Sequence, residues 1–127
     1  MNDGNNKFTE SWFYPMYGAT KAIAHDFDQD GDLDIASISF FPDFDRHPEE
    51  GFLYFENVGN QFTPYSVSAS SSGRWLVMDA SDIDKDGDYD LVLGAYNMNF
   101  FVPPRLLDQW SKKDISLLVL INTVSQN

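Results

Sequence analysis

The sequence predicts an all-β protein made of two similar β-sheet units, and three observations carry this prediction. A nine-residue acidic stretch, DFDQDGDLD at residues 26–34, recurs as DIDKDGDYD at residues 82–90. An apolar run of β-prone residues follows each copy, and further short runs lie between turn residues along the chain. The composition, 43% hydrophobic and 16% aromatic, excludes a disordered chain. A folded domain of short strands is the result we expect.

The similarity between the two units extends beyond the acidic stretches. Those stretches align with an offset of 56 residues. Upstream, Asn6-Lys7-Phe8-Thr9 recurs as Asn60-Gln61-Phe62-Thr63, and downstream the run at 52–57 recurs at 117–122, where both copies end in Asn. The predicted units are therefore residues 1–58 and residues 59–127.

Each unit contains several short strand candidates in the same order. Four short strands stacked on a similar neighbour are typical of a β-propeller blade, so the fold class predicted is two four-stranded blades. A long connection separates the last two strands of each unit, and in the second unit Pro104 is placed to start a short helix. The predicted strands are 20–24, 35–40 and 52–56 in the first unit and 75–78, 91–96 and 117–121 in the second, with a helix at 104–110.

Charge and residue usage exclude several classes of function. The formal net charge is −12, and the two acidic stretches hold ten of the twenty acidic residues. Nucleic acids and anionic membrane surfaces need clustered Lys and Arg, which this chain lacks. The chain has no cysteine and no apolar run of roughly 18 residues, so disulfides, thiolate chemistry and a membrane-spanning helix are not expected.

The spacing of the aspartates predicts a calcium loop in each unit. Calcium takes roughly six to eight oxygen ligands, and carboxylates at the first, third and fifth positions of a tight loop reach the same side of it. A glycine at the sixth position, Gly31 or Gly87, permits the sharp turn. The predicted ligands are the carboxylates of Asp26, Asp28, Asp30 and Asp34 with the carbonyl of Asp32, and the carboxylates of Asp82, Asp84, Asp86 and Asp90 with the carbonyl of Asp88.

Three other interpretations fit the acidic stretches less well. An EF-hand needs a glutamate at the twelfth position of its loop, where this chain has Ser37 and Leu93, and it leads into a helix rather than a β-prone run. Magnesium prefers a rigid octahedron with retained water and suits an all-protein cage less well. A surface turn without metal remains open for a single copy, and two copies with identical Asp and Gly positions disfavour it.

The motif Asp-x-Asp-x-Asp-Gly-x-x-Asp, followed by an apolar strand and later by a strand ending in Asn, resembles the FG-GAP/VCBS repeat. That family builds calcium-binding β-propellers, which include integrin α-chain heads and many secreted bacterial proteins. The resemblance covers nearly the whole chain. It implies two calcium ions bound by the aspartates named above, and a location outside the cell, in the periplasm or at the cell surface. Propellers close with about four to eight blades, so it also implies further blades from a parent chain or from self-association.

The resemblance implies a non-catalytic module with a role in adhesion or in recognition of a protein or glycan. Aromatic residues after the post-loop strands, Phe41 and Phe44 in one unit and Phe100 and Phe101 in the other, offer apolar ring faces to such a ligand, although packing between units or a contact between subunits is the favoured explanation. Two alternatives remain open: a polysaccharide lyase or hydrolase and a self-assembling structural unit. The carboxylates available to an enzyme are Asp43, Asp45, Glu49, Glu50 and Asp108.

Overall fold

The computed structural model describes residues 4, 5 and 7–126, so the outer ends of the predicted units, residues 1 and 127, and the repeated Asn6 lie outside the described residues. The chain is mostly β, as predicted. It forms one antiparallel sheet of four strands and one of three. Each sheet begins with a hairpin whose connection is one of the acidic stretches.

The first sheet contains four strands in sequence order. They are β1 (Ala19–His25), β2 (Asp34–Ser39), β3 (Phe52–Val58) and β4 (Gln61–Tyr65). A two-residue turn at Gly59 and Asn60, both with positive φ, joins β3 to β4. Strand β4 was not among the predicted strands, and it lies beyond residue 58, where the first predicted unit ends.

The second sheet contains three strands among the described residues. They are β5 (Trp75–Ser81), β6 (Asp90–Ala95) and β7 (Leu117–Leu120), again in sequence order. The predicted helix forms as α1 (Pro104–Lys113), with proline at its first position. It lies in the long connection between β6 and β7.

The main hydrophobic core lies between the two sheets. Alternate residues of each strand point to this interface, as the two-residue period of a strand requires. Trp75 at the start of β5 is fully buried there, and its ring N–H donates to the carbonyl of Ser70 at 2.8 Å. The buried members of this main core are Phe27, Ala36, Ile38, Phe52, Trp75, Met78, Leu91 and Leu93.

The outer faces of the two sheets differ. On the first sheet, Trp12 packs against Phe55 at 5.0 Å and Phe62 at 4.7 Å between ring centroids, so the segment before β1 covers that face. On the second sheet, Val77, Leu117 and Val119 are 59%, 64% and 43% exposed. The second sheet therefore keeps an uncovered apolar face.

A second, smaller core forms where the two long connections meet. Leu106 and Trp110 of α1 pack with Val102 and Phe44, and the Trp110 ring N–H donates to the carbonyl of Ser71 at 2.9 Å. Of the helices in the described part of the chain, none has the length and apolar character needed to cross a membrane.

Candidate metal centres

The two acidic stretches form hairpin connections with the same backbone path. The first runs between β1 and β2 and the second between β5 and β6. The fourth residue has positive φ in both, 61° at Gln29 and 65° at Lys85, and so has the sixth, 102° at Gly31 and 101° at Gly87. The repeated glycine therefore serves the sharp turn that its position predicted. We call these connections loop 1 (residues 26–34) and loop 2 (residues 82–90).

The first aspartate of each loop organises the turn. In loop 1, the two carboxylate oxygens of Asp26 accept the backbone N–H groups of Asp30 and Gly31, both at 3.1 Å. In loop 2, the carboxylate of Asp82 accepts from the corresponding two N–H groups, again at 3.1 Å. The backbone thus wraps around the first carboxylate in the same way in both loops.

The ninth aspartate of loop 1 is fully buried and fixes the loop to its sheet. Asp34 Oδ2 accepts the N–H of Phe27 at 3.1 Å and the hydroxyl of Tyr54 at 2.8 Å, and its Oδ1 accepts the N–H of Asn57 at 2.9 Å. A buried carboxylate is stable only with partners of this kind. Asp34 therefore joins the start of loop 1 to the end of β3.

Asp90 does the same in loop 2 with one partner fewer. It is fully buried, and its oxygens accept the N–H groups of Ile83 and Asn122, both at 2.8 Å. The position that corresponds to Tyr54 is Val119, which has no hydroxyl to donate. The ninth aspartate of loop 2 is thus held by two backbone N–H groups, without a side-chain donor that corresponds to Tyr54.

The carboxylates of the seventh aspartates accept hydrogen bonds from residues just beyond the closing strands. Asp32 Oδ2 accepts the N–H of Gly59 at 2.9 Å, and Asp88 Oδ2 accepts the N–H and the hydroxyl of Ser125 at 3.0 and 2.7 Å. The carbonyl, rather than the side chain, was the predicted ligand at both positions. These carboxylate contacts leave that role open.

Two groups of three carboxylates bring their oxygens together. One oxygen each of Asp26, Asp28 and Asp34 lie within 4.8 Å of one another, and so do those of Asp82, Asp84 and Asp86. The first group uses the first, third and ninth positions and the second group uses the first, third and fifth. Carboxylate oxygens at this spacing fit a hard divalent cation, so the residues present suit calcium chemically. The remaining predicted ligands are Asp30, Asp32, Asp88 and Asp90, which lie outside these two groups.

The pKa of the third aspartate is raised in each loop. Partial burial, reinforced by the charges of Asp34 and Asp30, raises the pKa of Asp28 to about 6, against a hydrogen bond from the Asp30 N–H that lowers it. Desolvation and the neighbouring charge of Asp86 raise the pKa of Asp84. Both shifts mean that the charged form is disfavoured where no cation compensates it.

The sequence pattern did not reveal how the two loops contact each other. The side-chain amide of Gln29 donates to the carbonyl of Gly87 at 3.2 Å, and that of Asn122 donates to the carbonyl of Phe27 at 2.6 Å. The repeated Asn at the end of each closing strand was the available signal, although its role could not be assigned from the sequence.

The four predicted ligand-binding aromatics separate into one buried and three exposed residues. Phe44 is 6% exposed and belongs to the smaller core, whereas Phe41, Phe100 and Phe101 are 49%, 58% and 77% exposed. The rings of Phe100 and Phe101 lie 4.2 Å apart. Only the three exposed rings offer a face to a ligand.

A buried arginine that the sequence did not single out joins these two aromatic segments. Arg74 is 1% exposed, and its guanidinium donates to the carbonyls of Phe40, Met98 and Phe100 at 2.6, 3.2 and 2.7 Å. It also lies 4.6 Å from the centroid of the Phe41 ring. The buried Arg74 therefore fixes the positions of the two segments that carry the exposed aromatic residues.

Three of the five carboxylates available to an enzyme have separate side-chain partners. Asp108 pairs with Lys112 at 2.8 Å, Glu49 contacts His47 at 3.3 Å, and Glu50 accepts the Tyr14 hydroxyl at 3.0 Å. A cavity of about 290 Å³ does open beside the two loops, lined by Asp28, by aromatic and aliphatic side chains, and by Ser66 and Asn122. Its one carboxylate is a predicted metal ligand.

The chain matches no protein-family profile, no curated protein and no solved structure. The function is therefore inferred from the two loops and the two sheets.

Proposed function

We propose that the chain is a calcium-binding β-propeller module of the FG-GAP/VCBS type, with one structural calcium ion in each loop. The observation that carries the proposal is the equivalence of the loops: positions 56 residues apart make the same backbone hydrogen bonds and converge three carboxylates each.

Calcium would offset the mutual repulsion of the carboxylates in each loop. The residues that would hold it are Asp26, Asp28, Asp30 and Asp34 in loop 1 and Asp82, Asp84, Asp86 and Asp90 in loop 2, with the carbonyls of Asp32 and Asp88. The raised pKa values of Asp28 and Asp84 support a site that is electrostatically incomplete without a cation. The role is structural because the ninth aspartates tie each loop to the end of a strand.

The module would function outside the cell in adhesion or in recognition of a protein or glycan. The exposed rings of Phe41, Phe100 and Phe101, fixed by Arg74, supply the apolar surface that such a ligand would contact. Further blades, from a parent chain or from additional copies, would cover the apolar outer face of the second sheet.

Thermal unfolding with and without calcium tests this function. Free calcium at about 100 times its Kd stabilises a folded protein by about 2.7 kcal/mol per site, so two sites should raise Tm by about 20 °C over excess chelator. Asp26→Asn and Asp82→Asn should each remove part of that rise. Asp108→Asn is the matched control, since Asp108 is an exposed helix residue outside both loops. An equal Tm in calcium and in chelator would contradict the proposal.

A further inference from the structure

The two loops are in direct contact through a pair of side-chain amides. Gln29, at the fourth position of loop 1, donates its amide to the carbonyl of Gly87, the sixth residue of loop 2, at 3.2 Å. The side chain at the corresponding position of loop 2, Lys85, has no such loop-to-loop hydrogen bond among the described residues. The contact is therefore asymmetric, and it requires both turns to be in place at once.

Asn122 is shared by both loops. Its backbone N–H donates to Asp90 at 2.8 Å, and its side-chain amide donates to the carbonyls of Tyr89 in loop 2 at 3.3 Å and Phe27 in loop 1 at 2.6 Å. The equivalent residue of the first sheet, Asn57, hydrogen-bonds to loop 1 through Asp34 and the carbonyl of Leu33. Asn122 thus adds a hydrogen bond to the other loop, the one to Phe27, for which the described residues show no counterpart at Asn57.

A ring contact adds to these hydrogen bonds. His25, the last residue of β1, stacks on Tyr89 of loop 2 with ring centroids 4.1 Å apart and an interplanar angle of 11°. The residue that precedes loop 1 and a residue within loop 2 therefore pack face to face. Three independent contacts now join the two loops.

We propose that the two loops bind calcium with positive cooperativity, and that Gln29 and Asn122 are the positioning residues that couple them. The inference rests on the proposed calcium function. Ordering one loop around its ion fixes half of each shared contact, so the second loop is ordered at a lower entropic cost. Neither positioning residue is a ligand; each acts through the backbone of the loops.

Electrostatic repulsion between the two bound ions opposes this coupling. Positive cooperativity requires the repulsion to be smaller than the effect of the shared contacts. An ion in one loop weakens the negative potential that attracts the second ion. Each loop carries five aspartates and loop 2 also carries Lys85, so with one calcium ion bound loop 1 still has a net charge of about −3 and loop 2 of about −2. Exposed charges are also screened over about 8 Å at physiological ionic strength. At that salt concentration the shared contacts should determine the sign.

Calcium titration of site-specific variants measures the coupling. Asp82→Asn with Asp84→Asn leaves loop 1 as the only site, and Asp26→Asn with Asp28→Asn leaves loop 2. Competition with a chelator gives each single-site association constant and, in the parent chain, the overall constant for two ions. We expect the overall constant to exceed the product of the single-site constants at least about fivefold.

Gln29→Ala and Lys85→Ala form a matched pair, because both residues are exposed and occupy the same position in their loops. Gln29→Ala should lower the ratio of the overall constant to the product of the single-site constants toward one. Lys85→Ala should leave this ratio unchanged. A residue that only stabilised the fold would change the single-site constants and not this ratio. Two ions bound with a ratio of one would overturn the coupling and keep the calcium function. No calcium bound to either single-site chain would overturn both.

Discussion

Loop 1 and loop 2 share their internal geometry and differ in their surroundings. The second residue of loop 1, Phe27, is 5% exposed in the core between the sheets, whereas its counterpart in loop 2, Ile83, is 42% exposed. Tyr54 adds a hydrogen bond to Asp34 that Asp90 does not receive. The difference teaches that the motif determines the path of each loop, while the neighbouring sheet determines how strongly the loop is held.

The largest difference is expected between the two ninth aspartates. Asp34→Ala leaves two buried N–H groups and one hydroxyl without an acceptor, and Asp90→Ala leaves only two N–H groups. Each substitution also removes one proposed ligand, but only Asp34 belongs to a group of three converging carboxylates, so the comparison is made in excess chelator. Urea unfolding in chelator should show a loss of roughly 3 kcal/mol or more for Asp34→Ala, and about 1 kcal/mol less for Asp90→Ala.

Tyr54→Phe sharpens that comparison. Combined with Asp34→Ala it should recover about 1 kcal/mol, because it removes a hydroxyl that has already lost its acceptor, and the total cost should then approach that of Asp90→Ala. Equal losses for the two alanine variants would show that the Tyr54 contact does not distinguish the loops.

The next difference concerns pH in the absence of metal. The pKa of Asp28 is raised from 3.8 to about 6, so the folded chain binds more protons than the unfolded chain between these values. Stability in chelator should therefore fall as the pH rises from about 4 through 6, and Asp28→Asn should remove this loss. Melting in chelator at pH 7 should be higher for Asp28→Asn than for the parent, and the gap should close near pH 4.

In calcium the parent should melt above Asp28→Asn, because the Asp28 carboxylate would then be a ligand of the ion. Asp84→Asn is the counterpart in loop 2, where the residue is exposed, and it should show a smaller effect in chelator. A parent chain that melts above Asp28→Asn at pH 7 in chelator would mean that the carboxylates of loop 1 do not repel one another as described.

The smallest difference is expected at the repeated glycines. Gly31 and Gly87 have φ of 102° and 101°, and an added Cβ meets no atom within 4 Å at either position. Alanine should therefore cost only backbone strain, about 1 to 2 kcal/mol at each site by urea unfolding. The two losses should agree closely, and a clear inequality would show that the loops do not share one geometry.

The sequence predicted the parts of the fold that a local pattern determines. The acidic loops, the six strand candidates and the helix that begins at Pro104 all form, with ends shifted by a few residues. Strand β4 was not predicted because its run, QFTPY, contains a proline and shows no clear alternation; its pairing with β3 follows from the tight turn at Gly59.

Features that depend on distant contacts could not be read from the sequence. Arg74 is surrounded by residues more than 20 positions away in the chain, so nothing in its local sequence indicates burial. The sequence predicts Phe44 as a ligand-binding residue because it is one of the aromatic residues that follow the post-loop strands, yet α1 covers it. The shared role of Asn122 likewise requires knowledge of how the second sheet packs on the first.

Calcium stoichiometry by isothermal titration calorimetry tests the central claim most directly. After removal of metal, the parent chain should bind two calcium ions. The chain with Asp26→Asn and Asp28→Asn should bind one, and so should the chain with Asp82→Asn and Asp84→Asn. Binding of no calcium, or a stoichiometry that neither pair of substitutions lowers, would contradict the assignment of the two loops as calcium sites.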